Sequence, residues 1–265
     1  MASVLASVRR IVVKVGSSIL VENQEIAAHR IEALCKFVAD LQAKYQVILV
    51  TSGAVAAGFT EKEMDKSSLP NKQALASMGQ PLLMHMYYTE FHKYNIACAQ
   101  MLLGAHDVDS SRSTCCNPGT IEALLSHNVV PIINENDASA SRDLLFGDND
   151  RFSAHVALHF KADLLVILSD IEGYYTADPR SCPEAELRLV VHEIDTDDLE
   201  AVATPNNQFA TGGIVTKLQA AQFLMDNGGK MFLSSGFHLD TVRAFLLDGH
   251  HKSGTLFVPP ALLAA

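Results

Sequence analysis

The sequence lacks the cysteine pattern of a disulfide or zinc scaffold. Its five cysteines are odd in number, form no Cys-x-x-Cys pair and have no histidine at zinc-finger spacing. A disulfide framework or a structural zinc site depends on such spacings, so neither is indicated. The pairs Cys115-Cys116 and His250-His251 also lack the companions that a metal site needs, and we expect both pairs to be loop residues.

Basic residues and long apolar runs are scarce as well. The chain has 20 lysines and arginines against 30 aspartates and glutamates, a formal charge of -10. A nucleic-acid surface needs clustered Lys and Arg, so we expect no nucleic-acid partner. No apolar run is long enough to span a membrane, and the opening MASVLASVRR is too short and too weakly apolar for a signal peptide. We therefore expect a cytoplasmic protein with no membrane partner.

What the sequence does contain is an alternation of strand and helix patterns. Apolar runs rich in β-branched residues recur at 11–15, 47–50, 96–103, 129–134, 164–168, 187–191, 230–235 and 254–258. Strands that are apolar throughout and alternate with helices predict a mainly parallel sheet covered on both faces. The predicted fold class is therefore α/β, a three-layer α/β/α sandwich with a mainly parallel central sheet.

Two helical patterns are clear. The first returns apolar residues to one face at Ile26, Ile31, Leu34, Val38 and Leu41. The second covers 71–94, where Pro81 predicts a kink or a division of the helix. No linker rich in Pro, Gly or Ser and no internal repeat divides the chain, so we predict one domain over residues 1–265.

Polar and glycine-rich segments lie where α/β sheets bind their ligands, at the ends of strands and the starts of helices. VGSS, TSGAVAAG, NENDA and SDIEG follow predicted strands, and GDND and TGGIVTK begin predicted helices. Walker A and GxGxxG patterns are absent, so the usual P-loop and dinucleotide sites are not indicated. In a fold of the predicted class, these loops meet at one edge of the sheet.

One lysine follows a pair of glycines. Gly212 and Gly213 let the backbone approach a ligand, the helix start behind them favours an anion, and Lys217 one turn later adds a charge. A solvent-facing helix start with a surface lysine explains this motif alone equally well.

A second lysine ends the first strand. Lys14 stands between two valines and is followed by Gly16 and Ser17. We expect its ammonium group to reach the ligand, with backbone amides and hydroxyls receiving phosphate oxygens. The alternative is a lysine whose head group snorkels to water, which its apolar neighbours disfavour. We therefore predict that Lys14 and Lys217 form a clamp, in which both ammonium groups contact a transferring phosphoryl group.

These segments carry a resemblance to a known family. In order and spacing, VVKVGSS, VTSGAVAAG, KQALASMGQ, INENDA, GDND, SDIEGYYTADP and TGGIVTKLQAA resemble the amino-acid kinase family, and within it the branch that phosphorylates glutamate. The match runs from about Ile11 to about Leu256. It implies ATP-dependent phosphorylation of the side-chain carboxylate of L-glutamate to gamma-glutamyl phosphate, the first step of proline biosynthesis.

The resemblance also implies cofactors and partners. Mg²⁺ would bridge the β and γ phosphates of ATP, largely through the nucleotide. Proline is the implied feedback inhibitor, and the implied assembly is a homodimer or homotetramer. A functional link to a glutamate-5-semialdehyde dehydrogenase follows from the implied pathway.

Carried over position by position, the resemblance implies a role for each matching residue. Lys14 and Lys217 would contact the phosphates and stabilise the transition state, with Asp150 holding both lysines in place. Glutamate would be bound by Ser52, Gly53, Asn134, Asp137 and Asn149. ATP would be bound by Ser169, Asp170, Thr211, Gly212, Gly213 and Lys217, together with Gly16 and Ser17 from the phosphate argument.

The chemistry of L-glutamate is consistent with these residues. Its side-chain carboxylate is ionised at neutral pH, with a reference pKa of about 4.3, so its attack needs no general base. Its ammonium group needs an anionic partner, which Asp137 can supply, whereas N-acetylglutamate has no such charge. By composition alone, NENDA could instead be a turn rich in Asn and Asp.

GDND allows two interpretations. Asp148 and Asp150 could bind Mg²⁺ directly, or Asp148 or Asn149 could cap the helix that follows. We favour a structural role for Asp148 and an Asp150 that faces the lysines, with no protein ligand to the metal.

The sequence departs from the family pattern at four positions. Ala210 replaces a usual glycine, Ser169 a threonine, Glu172 a lysine and Tyr174 a leucine. Many relatives continue into an RNA-binding-like or a dehydrogenase domain. The residues after Val258 leave no room for either, so we expect neither in this chain.

Two alternative hypotheses stay open. One is a kinase of the same fold that acts on aspartate, N-acetylglutamate or a nucleoside monophosphate. The other is a non-catalytic sensor that binds nucleotide or amino acid. The acidic NENDA segment argues against the first, and the retention of both lysines with Asp150 argues against the second.

Overall fold

A computed structural model describes residues 2–108, 118–138, 149–200 and 213–260. The chain divides into two compact units, one formed by Met1–Lys14 and Gly147–Ala265 and the other by Val15–Phe146. In the part of the chain that is described, no helix combines the length and the apolarity needed to cross a membrane.

Strands and helices alternate along the described residues. The strands are β1 (Arg10–Val15), β2 (Val21–Glu22), β3 (Glu25–Ile26), β4 (Gln46–Val50), β5 (Cys98–Leu103), β6 (Val130–Glu135), β7 (Leu164–Ser169), β8 (Val190–Val191), β9 (Met231–Ser235) and β10 (Thr255–Phe257). The helices are α1 (Ala2–Ala6), α2 (Ser17–Leu20), α3 (Ala28–Gln42), α4 (Ala54–Glu61), α5 (Leu69–His92), α6 (Ala105–Val108), α7 (Pro118–Ser126), α8 (Asn149–His159), α9 (Thr196–Glu200), α10 (Ile214–Asp226) and α11 (Leu239–Arg243), which continues into a π-helical turn, Ala244–Asp248.

The unit formed by Met1–Lys14 and Gly147–Ala265 is built on strands in the order β1-β7-β9-β10-β8. β7 pairs with β9 in parallel, β9 with β10 antiparallel and β10 with β8 in parallel. Every residue of β7 and of β9 is buried. Such strands need cover on both faces, which explains their uninterrupted apolar character in the sequence.

The Val15–Phe146 unit contains the parallel strands β5-β6-β4 and the separate antiparallel pair β2-β3. Every residue of β6 is buried, including the polar Asn134 and Glu135 at its carboxyl end. Because β4 and β6 are parallel, their carboxyl ends lie at the same edge. The loops that follow them therefore start side by side.

The first helical pattern is confirmed with one exception. Ile31, Leu34, Val38 and Leu41 are buried on one face of α3. Ile26 is not part of the helix, because it pairs with Val21 in the β2-β3 hairpin. The chain is extended up to Ala27, and α3 begins at Ala28.

Of the two effects predicted for Pro81, a kink or a division, the division does not occur. α5 runs from Leu69 to His92 as one helix with Pro81 inside it. Buried residues on both sides of the proline, among them Leu75, Leu83 and Tyr87, anchor the two halves of the helix. Their packing opposes the break that the missing N–H of proline would favour.

Two glycines bring α4 and α5 into backbone contact. A Cβ atom on Gly58 would lie 2.0 Å from the carbonyl oxygen of Leu75. A Cβ atom on Gly79 would lie 1.9 Å from the carbonyl oxygen of Ala54. Real Cβ atoms do not approach so closely, so only glycine allows this contact. It fixes the middle of α5 against the first turn of α4.

Candidate active site

Two lysines share one buried carboxylate in the unit formed by Met1–Lys14 and Gly147–Ala265. The Nζ atom of Lys14 forms an ion pair with Oδ1 of Asp150, and the Nζ atom of Lys217 lies 3.0 Å from Oδ2. The side chain of Asp150 is 1% exposed and those of Lys14 and Lys217 are 7% and 4% exposed. The structure thus brings together the three residues predicted to handle the phosphates.

Secondary structure positions each member of this cluster. Lys14 lies near the carboxyl end of β1, Asp150 is the second residue of α8, and Lys217 lies in the first turn of α10. A carboxylate at a helix start is stabilised by the positive end of the helix dipole. Because the backbone of each residue belongs to a strand or a helix, the positions of the three side chains depend little on loops.

The electrostatics of the cluster favour an anionic ligand. Burial by itself raises the pKa of Asp150, but the charges of Lys14 and Lys217 and their hydrogen bonds outweigh it, so the pKa lies below its ordinary value. The three side chains together carry two positive charges and one negative charge. Two ammonium groups side by side attract an anion such as a phosphate group through charge-assisted hydrogen bonds.

Thr216 is a member of the cluster that sequence analysis missed. Its hydroxyl lies 3.2 Å from Oδ2 of Asp150 and 2.8 Å from the carbonyl oxygen of Gly213, and it can donate to either. The only signal was its place directly before Lys217 in TGGIVTK. Its partner is distant in sequence, which is why the pattern alone did not indicate it.

The residues predicted to bind ATP are described in part. Gly213 caps α10 in an extended conformation, and a Cβ atom built on it would meet nothing within 4 Å. No described residue therefore blocks the Cβ side of this helix start, which leaves room there for a phosphate group. Thr211 and Gly212 lie outside the described residues, as do Ala210 and Asp148.

Ser169 and Asp170 end β7. The hydroxyl of Ser169 donates to Oδ1 of Asp170 at 3.0 Å, and its carbonyl oxygen accepts from the amide of Gly236 at 2.7 Å. Ser169 is buried and Asp170 is exposed. The serine thus orients an acidic side chain at the surface of this unit.

The two remaining departures from the family pattern have structural partners. Glu172 accepts hydrogen bonds from the hydroxyls of Ser253 at 2.6 Å and Tyr175 at 2.8 Å, which lower its pKa. The ring of Tyr174 is buried and stacks with Phe257. Both side chains are therefore engaged within their own unit.

Most residues predicted to bind glutamate lie in the Val15–Phe146 unit. Ser52 and Gly53 follow β4, Asn134 lies in β6, and Asp137 follows β6. Gly53 has a φ of 105°, in the left-handed region that only glycine adopts without strain, and it caps α4. Gly16 and Ser17 also belong to this unit and begin α2. Asn149 instead begins α8, directly before Asp150.

Asp137 has the electrostatic character of a site for a cation. Burial raises the pKa of its carboxyl group. Within the described residues, this carboxylate has no hydrogen bond or ion pair that would lower its pKa. A positively charged ligand group would supply the missing partner.

The carboxylate of Asp150 is engaged by lysines. Both of its oxygens accept from ammonium groups, so it is not offered to a metal ion. Among the described residues, no group of three or more His, Cys, Asp or Glu side chains could hold a metal ion. The other acidic residue of GDND, Asp148, lies outside the described residues, so the structure bears on this motif at Asp150 alone.

Comparison with known proteins decides the family. Residues 9–233 match the amino acid kinase family. The chain belongs to this family. This amino acid kinase is 73% identical over 257 residues to a protein named glutamate 5-kinase from Leishmania donovani, covering 97% of the chain and 98% of that protein. It is 57% identical over 255 residues to the glutamate 5-kinase of Wolinella succinogenes, covering 94% of the chain and 98% of that protein.

Solved structures support the fold of this amino acid kinase. It superposes on the isopentenyl phosphate kinase of T. acidophilum with a TM-score of 0.60, covering 94% of the chain and 99% of that structure. For the UMP kinase of Ureaplasma parvum the TM-score is 0.61, with 94% and 98% covered. Identity is 15% in both cases, so these likenesses show the fold alone. The predicted family and the mainly parallel α/β fold are confirmed.

Proposed function

We propose that this amino acid kinase is a glutamate 5-kinase, which transfers the γ-phosphoryl group of ATP to the side-chain carboxylate of L-glutamate. The observation that carries the proposal is the buried cluster in which Asp150 holds the ammonium groups of Lys14 and Lys217 side by side. The acceptor is proposed from the extensive identity with proteins of that name.

The reaction needs little covalent chemistry from the protein. A carboxylate oxygen of glutamate attacks the γ-phosphorus, the bond between that phosphorus and the β,γ-bridging oxygen breaks, and ADP leaves with the electron pair. Lys14 and Lys217 stabilise the negative charge on the phosphoryl oxygens, and Asp150 keeps the two ammonium groups aimed at them. No proton is removed from the nucleophile, so no general base is assigned.

The nucleotide contacts are proposed for residues near this cluster. Gly213 and the first turn of α10 would receive phosphate oxygens, with Ser169 and Asp170 on the rest of the nucleotide and Thr211 and Gly212 on the loop before α10. Mg²⁺, when bound with the nucleotide, supplies charge neutralisation at the β and γ phosphates. Its direct contacts would be mainly to phosphate and water.

Recognition of glutamate is proposed for residues that follow β4 and β6, with Asn149 added. Asp137 would pair with the substrate ammonium, because burial raises the pKa of its carboxyl group and a positively charged partner would favour the ionised form. Ser52 and Gly53 would contact a substrate carboxylate near the start of α4, where backbone amides are available. This assignment predicts that an unblocked amino acid is preferred over an N-acylated one.

Localisation and partners are proposed on the family resemblance. We expect a cytoplasmic homodimer or homotetramer with proline as its feedback inhibitor. The product is an acyl phosphate, which is prone to hydrolysis, so an enzyme that reduces it must act in close succession. A glutamate-5-semialdehyde dehydrogenase has this activity and is the proposed functional partner.

The test uses the chemistry of the product. The full chain is incubated with ATP, Mg²⁺ and hydroxylamine, which converts an acyl phosphate to a stable hydroxamate, and L-glutamate, L-aspartate and N-acetylglutamate are supplied separately. We expect hydroxamate with L-glutamate only. Hydroxamate with L-aspartate or N-acetylglutamate in place of L-glutamate would contradict the acceptor, and no hydroxamate with any of them would contradict the reaction.

A further inference from the structure

Gln80 carries a buried hydrogen-bond donor that has no partner. The residue lies in the middle of α5 and is 7% exposed. Within the described residues, its side-chain nitrogen Nε2 makes no hydrogen bond. Buried amide groups are nearly always paired, because an unpaired donor loses its hydration and gains nothing in return. A group of this kind in a native site points to a missing acceptor.

The surrounding hydrogen bonds fix which end of the Gln80 amide is free. The backbone amide of Glu135 donates to Oδ1 of Asn134 at 3.0 Å, and a backbone N–H can only donate. This bond fixes the orientation of the Asn134 amide, whose Nδ2 then donates to Oε1 of Gln80 at 2.8 Å. The free end of Gln80 is therefore the NH₂ group, and an amide flip would leave two donors facing each other.

The β4-β6 pairing links this network to the residues predicted to bind glutamate. Leu49 lies opposite Ile132 and Val50 opposite Ile133. The amide of Thr51 donates to the carbonyl oxygen of Ile133 at 2.9 Å. Asn134 is therefore next to the end of β4, where Ser52 and Gly53 follow directly.

The α4-α5 contact links Gln80 to the same loop from the other side. Gly79, the residue before Gln80, packs on the carbonyl oxygen of Ala54, which directly follows Gly53. Gln80 is thus held by its neighbour against the start of α4 and by Asn134 against the end of β6. Its unpaired NH₂ group is buried in the region where the substrate is proposed to bind.

We propose that Gln80 is a specificity-determining residue whose NH₂ group donates a hydrogen bond to a carboxylate oxygen of bound L-glutamate. Asn134 positions it by holding Oε1. The inference rests on the proposed function, because L-glutamate supplies the acceptor. A carboxylate is well suited to the position, since it offers only acceptors and forms stronger hydrogen bonds than a neutral group.

Substitution of Gln80 separates this role from a structural one. Gln80→Met keeps the approximate length and removes both the donor and the oxygen that accepts from Asn134. Gln80→Glu keeps an acceptor for Asn134 and replaces the donor with a second oxygen. Gln42→Met, in α3 of the same unit, is the control, because it makes the same chemical change at a glutamine that donates to the backbone carbonyl oxygen of Asn128.

Binding of L-glutamate to the full chain is measured by calorimetry without ATP, and the KM values for L-glutamate and ATP are measured in the hydroxamate assay. We expect Gln80→Met to weaken L-glutamate binding and raise its KM by about tenfold or more, the size typical of a lost hydrogen bond to a charged group. Gln80→Glu should weaken binding at least as much at pH 8. Neither variant should change the KM for ATP by more than about twofold.

The outcomes distinguish the inference from the proposed function. If the wild-type chain binds L-glutamate and both Gln80 variants bind it within about twofold of wild type, Gln80 is structural and the inference is wrong. If the wild-type chain does not bind L-glutamate, the proposed function and the inference both fail. A variant with a lowered melting temperature is judged by the rise in that temperature on adding L-glutamate, which should be smaller than in Gln42→Met.

Discussion

At the residue scale, Asp150 determines how the two lysines can act. Each of its oxygens accepts from a different ammonium group, and Thr216 adds a hydroxyl at Oδ2. Because the pKa of Asp150 is lowered, the carboxylate stays ionised at neutral pH and both lysines keep an anionic partner. The lysines are thereby oriented before any phosphate binds, and little reorganisation is needed during transfer.

Replacing Lys217 tests this arrangement. Lys217→Ala removes one of the two cations from the transferring group but leaves Asp150 paired with Lys14 and near Thr216, so the fold should persist. We expect kcat to fall by about 10² to 10³ or more, as when a preorganised charge stabiliser is lost. The hydroxamate assay at saturating ATP measures it, and Lys72→Ala on the exposed surface of α5 is the control. Near-normal turnover would show that Lys217 has no part in the clamp.

Asp137 gives a prediction with a pH dependence. Asp137→Ala removes the proposed partner of the substrate ammonium, so the KM for L-glutamate should rise by about tenfold or more while the KM for ATP is unchanged. Because burial raises the pKa of Asp137, the wild-type affinity should fall as the pH is lowered through that raised pKa, where the carboxylate becomes neutral. Asp137→Ala should lose this pH dependence. Unchanged affinity for L-glutamate in the variant would remove the assignment.

At the element scale, the packing of α4 on α5 positions residues that are proposed to bind glutamate. The backbone contact at Gly79 sets both the position of Gly53 and that of Gln80. Both residues were within motifs that the sequence made visible, TSGAVAAG and KQALASMGQ. Their contact was not predictable, because it joins residues that are distant along the chain and depends on the helix-crossing geometry.

Gly79→Ala tests the contact. In an ordinary helix interior, Gly to Ala stabilises by about 0.5–1 kcal/mol. Here the added Cβ would overlap the carbonyl oxygen of Ala54, so we expect destabilisation by about 1–3 kcal/mol, as for an overpacked core, and weaker L-glutamate binding. Denaturant unfolding measures the first and calorimetry the second. Gly104→Ala is the control, because a Cβ there would meet its nearest atom at 3.5 Å. A stabilised Gly79→Ala would show that the helices can separate freely.

The same scale shows where sequence patterns reach their limit. β7 and β9 were predictable because each is a short run of buried apolar residues. β8 is limited to Val190–Val191, whereas Leu187, at the start of the predicted run, forms an isolated antiparallel bridge with Tyr175. Ile26 fits the apolar spacing of the first helix, but it pairs with Val21 in the β2-β3 hairpin instead. In each case a tertiary contact, absent from the local pattern, decided the outcome.

For the whole molecule, the order of loops was more informative than any single motif. The α/β fold and the family were predicted because several segments kept their spacing along nearly the full chain, and the match over residues 9–233 confirms them. The grouping of Lys14 with Lys217 was predicted from the glycine-rich loops beside them, whereas the place of Asp150 between them came from the resemblance. The roles of Thr216 and Gln80 required coordinates, because only their hydrogen bonds reveal them.

The proposed division of labour between the two compact units gives the last prediction. ATP with Mg²⁺ should protect backbone amides in α8 and α10, around Asp150 and Lys217, whereas L-glutamate alone should protect the segments around β6 and the start of α4. A ligand at about 100 times its Kd stabilises the form that binds it by about 2.7 kcal/mol, enough to slow exchange measurably where local opening releases the ligand. Hydrogen exchange with peptide resolution measures the pattern, and L-aspartate serves as the matched control for L-glutamate. If L-glutamate protected α8 and α10 but left the β6 and α4 segments unchanged, the residues assigned to glutamate recognition in Val15–Phe146 would be the wrong ones.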